Sequence, residues 1–219
     1  MKIAIDGPAG AGKSTVAKAI AQKMNFNYLD TGAMYRAAAY AMIEQGIEPS
    51  DRTAVLNALP GLSMKIIYKD GVQKVLIDGK DVTPYIRTPR ISRGASDIAI
   101  IPELRLKLVD IQREVANTYD VVVDGRDIGT YVLPDADFKF FVTASPHERA
   151  KRRYLELKET LPEADINEIE RDIIARDETD STREFAPLRQ AEDAILVDTT
   201  EMDRDQVIAH ISAMISGAK

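Results

Sequence analysis

The sequence contains no cysteine among its 219 residues. Disulfides, thiolate metal sites and a cysteine nucleophile are therefore excluded, which is typical of a protein from a reducing cytosol. Long apolar runs are absent too, because none approaches the ~20 residues that a membrane span requires. The pattern of the first predicted strand already begins at residue 2, which leaves no room for a signal peptide before it. We therefore expect a cytoplasmic protein with no membrane anchor and no signal peptide.

Positive charge is not in excess: the sequence has 29 lysines and arginines against 35 aspartates and glutamates. The formal net charge is −6 and the sequence pI is about 5.1. Nucleic-acid binding requires a basic surface that displaces counterions, so we expect no nucleic-acid partner. Apolar residues make up 45% of the chain, which suffices for a sizeable core. The length predicts one compact α/β domain with insertions, and the sequence has no internal repeats or interdomain linkers.

A complete GxxxxGK[ST] phosphate-binding loop follows the apolar run at residues 3–5. In such a loop the glycines let successive backbone N–H groups point at a phosphate, and the positive end of the following helix adds to the attraction. We expect Lys13 to reach the β- and γ-phosphate oxygens and Ser14 to ligate Mg²⁺ directly. The predicted ATP-binding residues are Gly7, Pro8, Ala9, Gly10, Ala11, Gly12, Lys13, Ser14 and Thr15.

Short apolar runs alternate with longer helical patterns along most of the chain, which is typical of a parallel sheet covered by helices on both faces. The predicted strands cover residues 2–6, 28–29, 121–124, 138–142 and 194–197. Ligands bind beyond the carboxyl ends of such strands. We therefore expect the turns that follow these segments to converge on one crevice.

Two segments interrupt this alternation. Residues 62–68, 73–77 and 82–83, joined by Asp-Gly turns, predict a small antiparallel meander. Further on, Ser145 predicts a capping box with proline at the first helical position, and an Arg/Lys-rich helix follows. That helix should break around residues 160–162. We expect helix, break and second helix to form a hinged lid, with a plain helical hairpin as the alternative.

A second anion site is predicted after the strand at residues 28–29. We expect Thr31 to cap the helix that begins there, and Arg36 to bind phosphate oxygens through both arms of its guanidinium group. Asp124 ends another strand, where a carboxylate can support Mg²⁺ through water, and Arg126 beside it is a second candidate for holding phosphate. Together these residues predict a phosphate-bearing acceptor.

Residues 176–183 carry dense charge of both signs, a pattern that is usual in solvated loops. They lie between the predicted lid and the last strand, so we expect Arg176, Asp180 and Arg183 to fold over a nucleotide. Arginines and aspartates that cluster beside a phosphate loop are more often functional than merely solvated.

Five motifs in this order resemble those of bacterial cytidylate kinases: IAIDGPAGAGKST, LDTGAMYRA, DGRDIGT, SPHERAKRR and RDETDSTREFAPL. The resemblance spans essentially the whole chain and includes the meander, which is similar to that family's enlarged monophosphate-binding lobe. It implies an α/β fold with a five-stranded parallel sheet of the P-loop kinase type, an inserted antiparallel monophosphate-binding lobe and a helical lid. It further implies one kinase domain with its core at residues 1–31, 101–144 and 185–219, the insert at about 32–100 and the lid at about 145–184.

The family's residue roles carry over where the motifs match. The resemblance implies that Thr31, Arg36 and Arg126 hold the CMP phosphate and that Arg176 and Asp180 contact the pentose. The residues implied around cytosine are Ser96, Arg105, Asp127 and Arg183. Cytosine presents an N4 amino donor with N3 and O2 acceptors, which a carboxylate with arginine and hydroxyl donors complements. Uracil would set a carbonyl oxygen against the Asp127 carboxylate, and this mismatch makes a specificity filter.

The implied reaction transfers the γ-phosphoryl group of ATP to CMP or dCMP. The acceptor phosphate is already anionic at neutral pH, so no general base is needed and neither His147 nor His210 is expected to be catalytic. The obstacle is repulsion, since one pair of unit charges about 4 Å apart costs ~4 kcal/mol at an effective dielectric near 20. The predicted catalytic residues, with Mg²⁺ as cofactor, are Lys13, Arg36, Arg126 and Arg152, the last chosen from the lid arginines Arg149, Arg152 and Arg153.

Three other functions stay open from the sequence. The nearest is a small-molecule kinase of similar architecture that acts on UMP, shikimate or a sugar acid. A GTP switch should carry an Asn-Lys-x-Asp motif, which the sequence lacks. An inactive homologue is disfavoured by the intact Lys13, Ser14, Arg36 and Asp124. We expect a monomer, because lobes that move independently are difficult to bury in a dimer.

Overall fold

The computed structural model describes residues 1–158 and 163–217. In chain order the strands are β1 (Lys2–Asp6), β2 (Asn27–Asp30), β3 (Met64–Lys69), β4 (Val72–Ile77), β5 (Lys80–Asp81), β6 (Val121–Gly125), β7 (Phe138–Thr143) and β8 (Ile195–Asp198). The α-helices are α1 (Lys13–Met24), α2 (Thr31–Glu44), α3 (Arg52–Ala58), α4 (Pro89–Ile98), α5 (Pro102–Thr118), α6 (Pro146–Leu157), α7 (Ile166–Thr182) and α8 (Arg204–Gly217). None of the described helices combines the length and apolarity that a membrane crossing needs.

Five strands form one parallel sheet in the order β2-β6-β1-β7-β8. The five strands predicted for this sheet are confirmed, with ends shifted by one residue: β2, β6, β7 and β8 each end one residue later than predicted, β2 begins one residue earlier and β8 one residue later. The carboxyl ends lie side by side, because the register pairs Asp6 with Gly125 and Asp30 with Asp124. The turns after these strands therefore meet at one edge of the sheet, as predicted.

The sheet separates two buried apolar clusters. Alternation along β1 sends Ala4 into the cluster that includes α2, α4 and α5, and sends Ile3 and Ile5 into the cluster that includes α1 and α8. Three consecutive valines of β6 are fully buried. Such an unbroken β-branched run is typical of a parallel strand that is covered on both faces. The α/β fold predicted from the alternation is confirmed.

The predicted meander is confirmed as a second sheet, in which β3, β4 and β5 pair in antiparallel order. Its two Asp-Gly turns have left-handed φ at both residues, 53° and 72° in the first and 49° and 79° in the second. The predicted third strand at residues 82–83 is wrong. Because the second turn is complete in two residues, pairing resumes at once and sets Lys80 opposite Ile77.

The predicted capping box of α6 is only half formed. Ser145 Oγ accepts a hydrogen bond from the Glu148 N–H at 3.2 Å, but the Ser145 N–H donates to the Thr200 hydroxyl at 3.0 Å instead of to Glu148. The predicted break around residues 160–162 lies outside the described residues. Helix α7 runs on to Thr182, so the charge pattern that is usual in loops is helical here.

Candidate active site

The phosphate loop connects β1 to α1. Gly10 and Gly12 have left-handed φ of 75° and 82°. A Cβ on Gly7 would lie 1.9 Å from the Val142 carbonyl oxygen of β7, so no larger residue fits at the start of the loop. No side chain of the described residues caps the α1 N-terminus. Its backbone N–H groups are therefore available to an anion.

Lys13, the first residue of α1, is only 5% exposed. Its Nζ donates a hydrogen bond to the Pro8 carbonyl oxygen at 2.6 Å. Burial and the positive charge of Arg126 lower the pKa of Lys13 well below its usual value. A phosphate in the loop would oppose this shift, because a nearby anion favours the charged ammonium group. An anion bound in the loop would therefore raise the pKa of Lys13 back toward its usual value.

Asp124, near the end of β6, joins the phosphate loop to the neighbouring strand. Its Oδ2 accepts a hydrogen bond from Ser14 Oγ at 2.7 Å, and its Oδ1 accepts one from the Tyr28 hydroxyl at 2.8 Å. Burial and the nearby charge of Asp30 raise the pKa of Asp124. The oxygen atoms of Ser14 and Asp124 are the hard donors that Mg²⁺ prefers, and a dication beside them would relieve the carboxylate repulsion.

Sequence reasoning missed two residues of this region. Tyr28 was predicted only as part of a strand, and no motif marked its hydroxyl. Asp6, the last residue of β1, is buried and accepts hydrogen bonds from the N–H groups of Ile128 and Gly129 at 2.8 and 2.7 Å. Burial raises the pKa of Asp6 to about 6, although the two hydrogen bonds oppose the shift. Asp6 thereby holds the segment that follows Arg126; its place just before the phosphate loop was the available signal.

Asp30, not Thr31, caps α2. Asp30 Oδ1 accepts a hydrogen bond from the Ala33 N–H at 2.7 Å, and Thr31 is already the first helical residue. The prediction that Thr31 caps this helix is therefore wrong. The Thr31 hydroxyl donates instead to the Asp124 carbonyl oxygen at 2.7 Å. Thr31 remains at the edge where β2 and β6 end, beside the predicted phosphate site.

Two arginines share the Asp30 carboxylate. Arg36 Nη2 lies 3.0 Å from Asp30 Oδ2, and Arg87 Nη2 lies 3.2 Å from the same oxygen. The Nε of Arg36 is buried and has no hydrogen-bond partner within the described part of the chain. A guanidinium group with a spare donor is thus present where the acceptor phosphate was predicted. Arg87 was not predicted as a site residue; the available signal was its place in the segment IRTPRIS, residues 86–92, which shares the family resemblance.

Asp127, Arg105 and Arg183 form one buried charged cluster. Arg105 Nη2 lies 2.6 Å from Asp127 Oδ2, and Arg183 Nη2 lies 3.3 Å from Asp127 Oδ1. The Arg105 guanidinium carbon lies 5.4 Å from the centre of the Tyr35 ring. Burial and the charge of Arg105 lower the pKa of Arg183. The fold thus brings together three of the four residues predicted around cytosine.

Arg126 and α7 meet beside this cluster. Arg126 Nε donates a hydrogen bond to Asp180 Oδ2 at 2.8 Å. Burial favours the neutral form of Asp180, but the charge and hydrogen bond of Arg126, together with the charges of Arg176 and Arg183, outweigh it and lower the pKa of Asp180. One helical turn earlier, partial loss of hydration and the charge of Arg126 lower the pKa of Arg176, although part of its side chain is exposed to solvent. A predicted phosphate residue and the two predicted pentose residues therefore lie together.

Ser96 and Arg152 stand apart from these clusters. The Ser96 hydroxyl is directed at the Ser92 carbonyl oxygen, 3.5 Å away, and among the described residues it forms no hydrogen bond with the Asp127 cluster. Arg152 donates to the Thr199 hydroxyl at 3.0 Å and to the Thr199 carbonyl oxygen at 2.6 Å. Its Nη1 nevertheless lies 3.9 Å from the point that a Cβ on Gly12 would occupy. Arg152 is therefore beside the phosphate loop, and its catalytic role stays a prediction.

The other two lid arginines have different surroundings. Arg149 is 3% exposed and donates to the Ala9 carbonyl oxygen at 2.9 Å and to Asp177 Oδ2 at 2.6 Å. Arg153 is exposed and pairs with Glu156 at 2.9 Å along the same helix. Arg149 therefore holds the backbone of the phosphate loop, whereas Arg153 lies on the outer surface of α6.

A parallel sheet in this strand order, a phosphate loop after its first strand and an arginine-rich crevice beside that loop define a P-loop kinase. A solved structure of similar fold is an uncharacterized protein from Eubacterium ventriosum, with a TM-score of 0.57 and 14% identity, covering 99% of this chain and 98% of that one. The chain itself belongs to the cytidylate kinase family, whose family model matches residues 3–217. The family predicted from the five motifs is confirmed.

Curated relatives agree with this assignment over nearly the whole length. Cytidylate kinase from Carboxydothermus hydrogenoformans is 48% identical over 215 residues, covering 98% of this chain and 97% of that protein. Cytidylate kinase from Caldicellulosiruptor saccharolyticus is 49% identical over 211 residues, covering 96% of this chain and 93% of that protein. The similarity therefore includes the meander and the α6–α7 region as well as the sheet.

Proposed function

We propose that this protein transfers the γ-phosphoryl group of ATP to CMP or dCMP, giving ADP and CDP or dCDP. The observation that carries the proposal is the buried Asp127 cluster, which stands at the same sheet edge as the phosphate loop. A loop for a triphosphate and a polar pocket for a base make a two-nucleotide crevice. Membership of the cytidylate kinase family and the names of the relatives support the same acceptor.

The Asp127 cluster suits cytosine by its hydrogen-bonding capacity. The Asp127 carboxylate accepts only, so it can receive the N4 amino hydrogens of cytosine. Arg105 and Arg183 donate only, and N3 and O2 of cytosine are acceptors. Uracil would replace the N4 donor with a carbonyl oxygen and leave buried groups unpaired, at a cost of about 1–3 kcal/mol. The role of Ser96 in this pocket is proposed from the family resemblance alone.

The phosphate of CMP would bind among Thr31, Arg36 and Arg126. In the structure the two arginines pair with Asp30 at 3.0 Å and Asp180 at 2.8 Å. Internal carboxylates of this kind keep guanidinium groups ordered before the substrate arrives, which reduces the ordering that binding must supply. Arg176 and Asp180 would then contact the pentose from α7.

Catalysis would consist of positioning and charge stabilisation. The acceptor phosphate attacks the γ-phosphorus in line, and the loose transition state carries its charge on the equatorial oxygens. Lys13 on the donor side and Arg36 and Arg126 on the acceptor side would offset the repulsion between the two anions. Arg152 is the lid residue proposed to reach the transferred group, which requires it to leave Thr199.

Mg²⁺ is the proposed cofactor that accompanies ATP. Ser14 would bind the ion directly and Asp124 through water, and Mg²⁺ would neutralise charge on the β- and γ-phosphates. The hydrogen bond from Ser14 to Asp124 fits this arrangement, because it turns a hydroxyl lone pair toward the loop while the carboxylate stays close. Tyr28 would fix the other carboxylate oxygen.

An ADP-release assay with CMP, dCMP, UMP, AMP and shikimate as acceptors tests the proposed function. We expect the highest kcat/KM with CMP or dCMP. Activity largest with AMP or shikimate, or absent with every acceptor, would refute it. Tight GTP binding without an acceptor would favour the switch instead. The monomeric state and the cytoplasmic location stay predictions, the first of which light scattering can check.

A further inference from the structure

The peptide groups of Ala9, inside the phosphate loop, are held from both sides. The Ala9 N–H donates to Asp177 Oδ1 at 3.2 Å, and the Ala9 carbonyl oxygen accepts from Arg149 Nη1 at 2.9 Å. The two side chains close the ring, because Arg149 Nη1 lies 2.6 Å from Asp177 Oδ2. A fourth hydrogen bond, from Arg149 Nε to the Ala144 carbonyl oxygen at 2.9 Å, anchors the ring to the end of β7.

This ring leaves little freedom to the loop. The Arg149 side chain is 4% exposed, so its charge is removed from water and depends on Asp177. Its packing is also close: a Cβ on Gly10 would lie 3.3 Å from Arg149 Cβ and 3.7 Å from Ile173 of α7. The Ala9 peptides therefore cannot turn without losing hydrogen bonds to both members of a partly buried ion pair, and each of these side chains would lose one of its partners.

The same helix that supplies Asp177 also reaches the acceptor side. Asp180, three residues later on α7, accepts a hydrogen bond from Arg126 at 2.8 Å. Arg176, directly before Asp177, is near the same arginine: loss of hydration and then the charge of Arg126 lower the pKa of Arg176. One turn of α7 thus contacts the donor loop through Asp177 and the predicted acceptor residue Arg126 through Asp180. A helical turn is stiff, so a displacement at one contact moves the other.

We propose that Arg149 and Asp177 are positioning residues, which set the Ala9 peptides for the ATP phosphates and link the phosphate loop to the acceptor site through α7. The inference rests on the proposed function, because it takes Arg176 and Asp180 as acceptor contacts. A nucleoside monophosphate bound there orders α7 and, through Asp177, the loop. ATP binding then raises the affinity for the acceptor, and acceptor binding raises the affinity for ATP. By thermodynamic linkage the two fold-changes in affinity are equal.

The test uses the whole chain and measures the coupling factor, which is the fold-change that CMP causes in the affinity for an ATP analogue. The dissociation constant of the non-hydrolysable ATP analogue AMPPNP, with Mg²⁺, is determined by calorimetry without and with saturating CMP. In the wild type we expect CMP to tighten AMPPNP by ~5-fold or more. Asp177→Asn should weaken AMPPNP binding ~10-fold and bring the coupling factor close to one. The affinity for CMP in the absence of AMPPNP should stay within ~3-fold of the wild-type value. Glu178→Gln, an exposed neighbour on α7, is the matched control and should behave as the wild type.

An Asp177→Asn protein with wild-type AMPPNP affinity and a wild-type factor would overturn the proposal. If that variant does not fold, Arg149→Lys takes its place, since one ammonium group cannot reach all three acceptors of the guanidinium group. Wild-type hydrogen exchange gives a second reading: CMP alone should slow exchange of the Ala9 N–H, and unchanged exchange also counts against the link. If the wild type binds no CMP, the proposed function is refuted. The AMPPNP affinities of the wild type and the variant still test whether Arg149 and Asp177 position the Ala9 peptides.

Discussion

The Asp127 carboxylate lies between two arginines, with Arg105 Nη2 2.6 Å from one oxygen and Arg183 Nη2 3.3 Å from the other. All three side chains are nearly inaccessible to solvent. A buried carboxylate that satisfies two buried cations is costly to assemble without a ligand. We propose that the cluster serves recognition, because its oxygen lone pairs and remaining N–H groups complement the donor and acceptors of cytosine.

Asp127→Asn tests this recognition. The amide can donate to the O4 of uracil, whereas it offers the N4 amino group of cytosine a weaker acceptor. We expect kcat/KM for CMP to fall ~100-fold, about 3 kcal/mol, and kcat/KM for UMP to fall much less. Asp110→Asn, an exposed change on α5, should leave both values unaltered. An unchanged preference for CMP over UMP in a folded Asp127→Asn protein would show that Asp127 does not read the base.

Lys13→Ala tests the donor side. Removing the ammonium group deletes a buried charge aimed at the phosphate loop, and we expect kcat to fall ~1000-fold, about 4 kcal/mol. ATP binding should also raise the pKa of the wild-type lysine, since phosphate opposes the burial that lowers it. Lys23→Ala, at the exposed end of the same helix, provides the control. Near-normal turnover by Lys13→Ala in steady-state assays would remove Lys13 from the mechanism.

Asp6 gives a prediction about pH and stability. The native pKa of Asp6 is about 6, against 3.8 as the ordinary value, so between these pH values the native state binds more protons than the unfolded state. The stability of the wild type should therefore fall, relative to Asp6→Asn, as pH rises from about 4 to 7, by up to about 3 kcal/mol. Urea unfolding of both proteins across this range measures the difference. A difference that stays constant, or grows with pH, would contradict the assigned protonation.

Gly7→Ala tests the geometry at the start of the phosphate loop. The new Cβ would lie 1.9 Å from the Val142 carbonyl oxygen at a backbone φ of 144°. We expect a loss of ~3 kcal/mol or more in unfolding free energy, because the loop or β7 must move. Gly46→Ala also sits at positive φ but has open space around it, and it should lose only ~1–2 kcal/mol. Equal losses in chemical denaturation would mean that Gly7 is required for φ alone.

Periodicity and turn chemistry predicted most of this fold. The parallel strands are short apolar runs, and the meander follows from two Asp-Gly turns that favour left-handed φ. The errors are local choices between adjacent residues. Asp30 and Thr31 are both good helix caps, and which one caps α2 depends on the Asp124 carbonyl oxygen, which draws the Thr31 hydroxyl away. No local pattern contains that contact across 93 positions.

The candidate site was predicted where residues belong to motifs or correspond to family positions. Arg105, Asp127 and Arg183 were grouped by family resemblance, and the fold brings them within hydrogen-bond distance. Asp6 and Tyr28 were missed because each acts through a partner about a hundred positions away along the chain. Such contacts arise from the sheet order, which sets β1, β2 and β6 side by side. They become visible only when the strands are paired.

The most direct test of the proposed reaction is a phosphorus NMR time course of ATP and CMP with the protein and Mg²⁺. We predict that the γ-phosphorus signal of ATP decays while the β-phosphorus signals of CDP and ADP rise in equal amounts, with little inorganic phosphate. The same mixture with UMP should react much more slowly. Release of inorganic phosphate without CDP, or faster formation of UDP than of CDP, would contradict a cytosine-directed phosphoryl transfer.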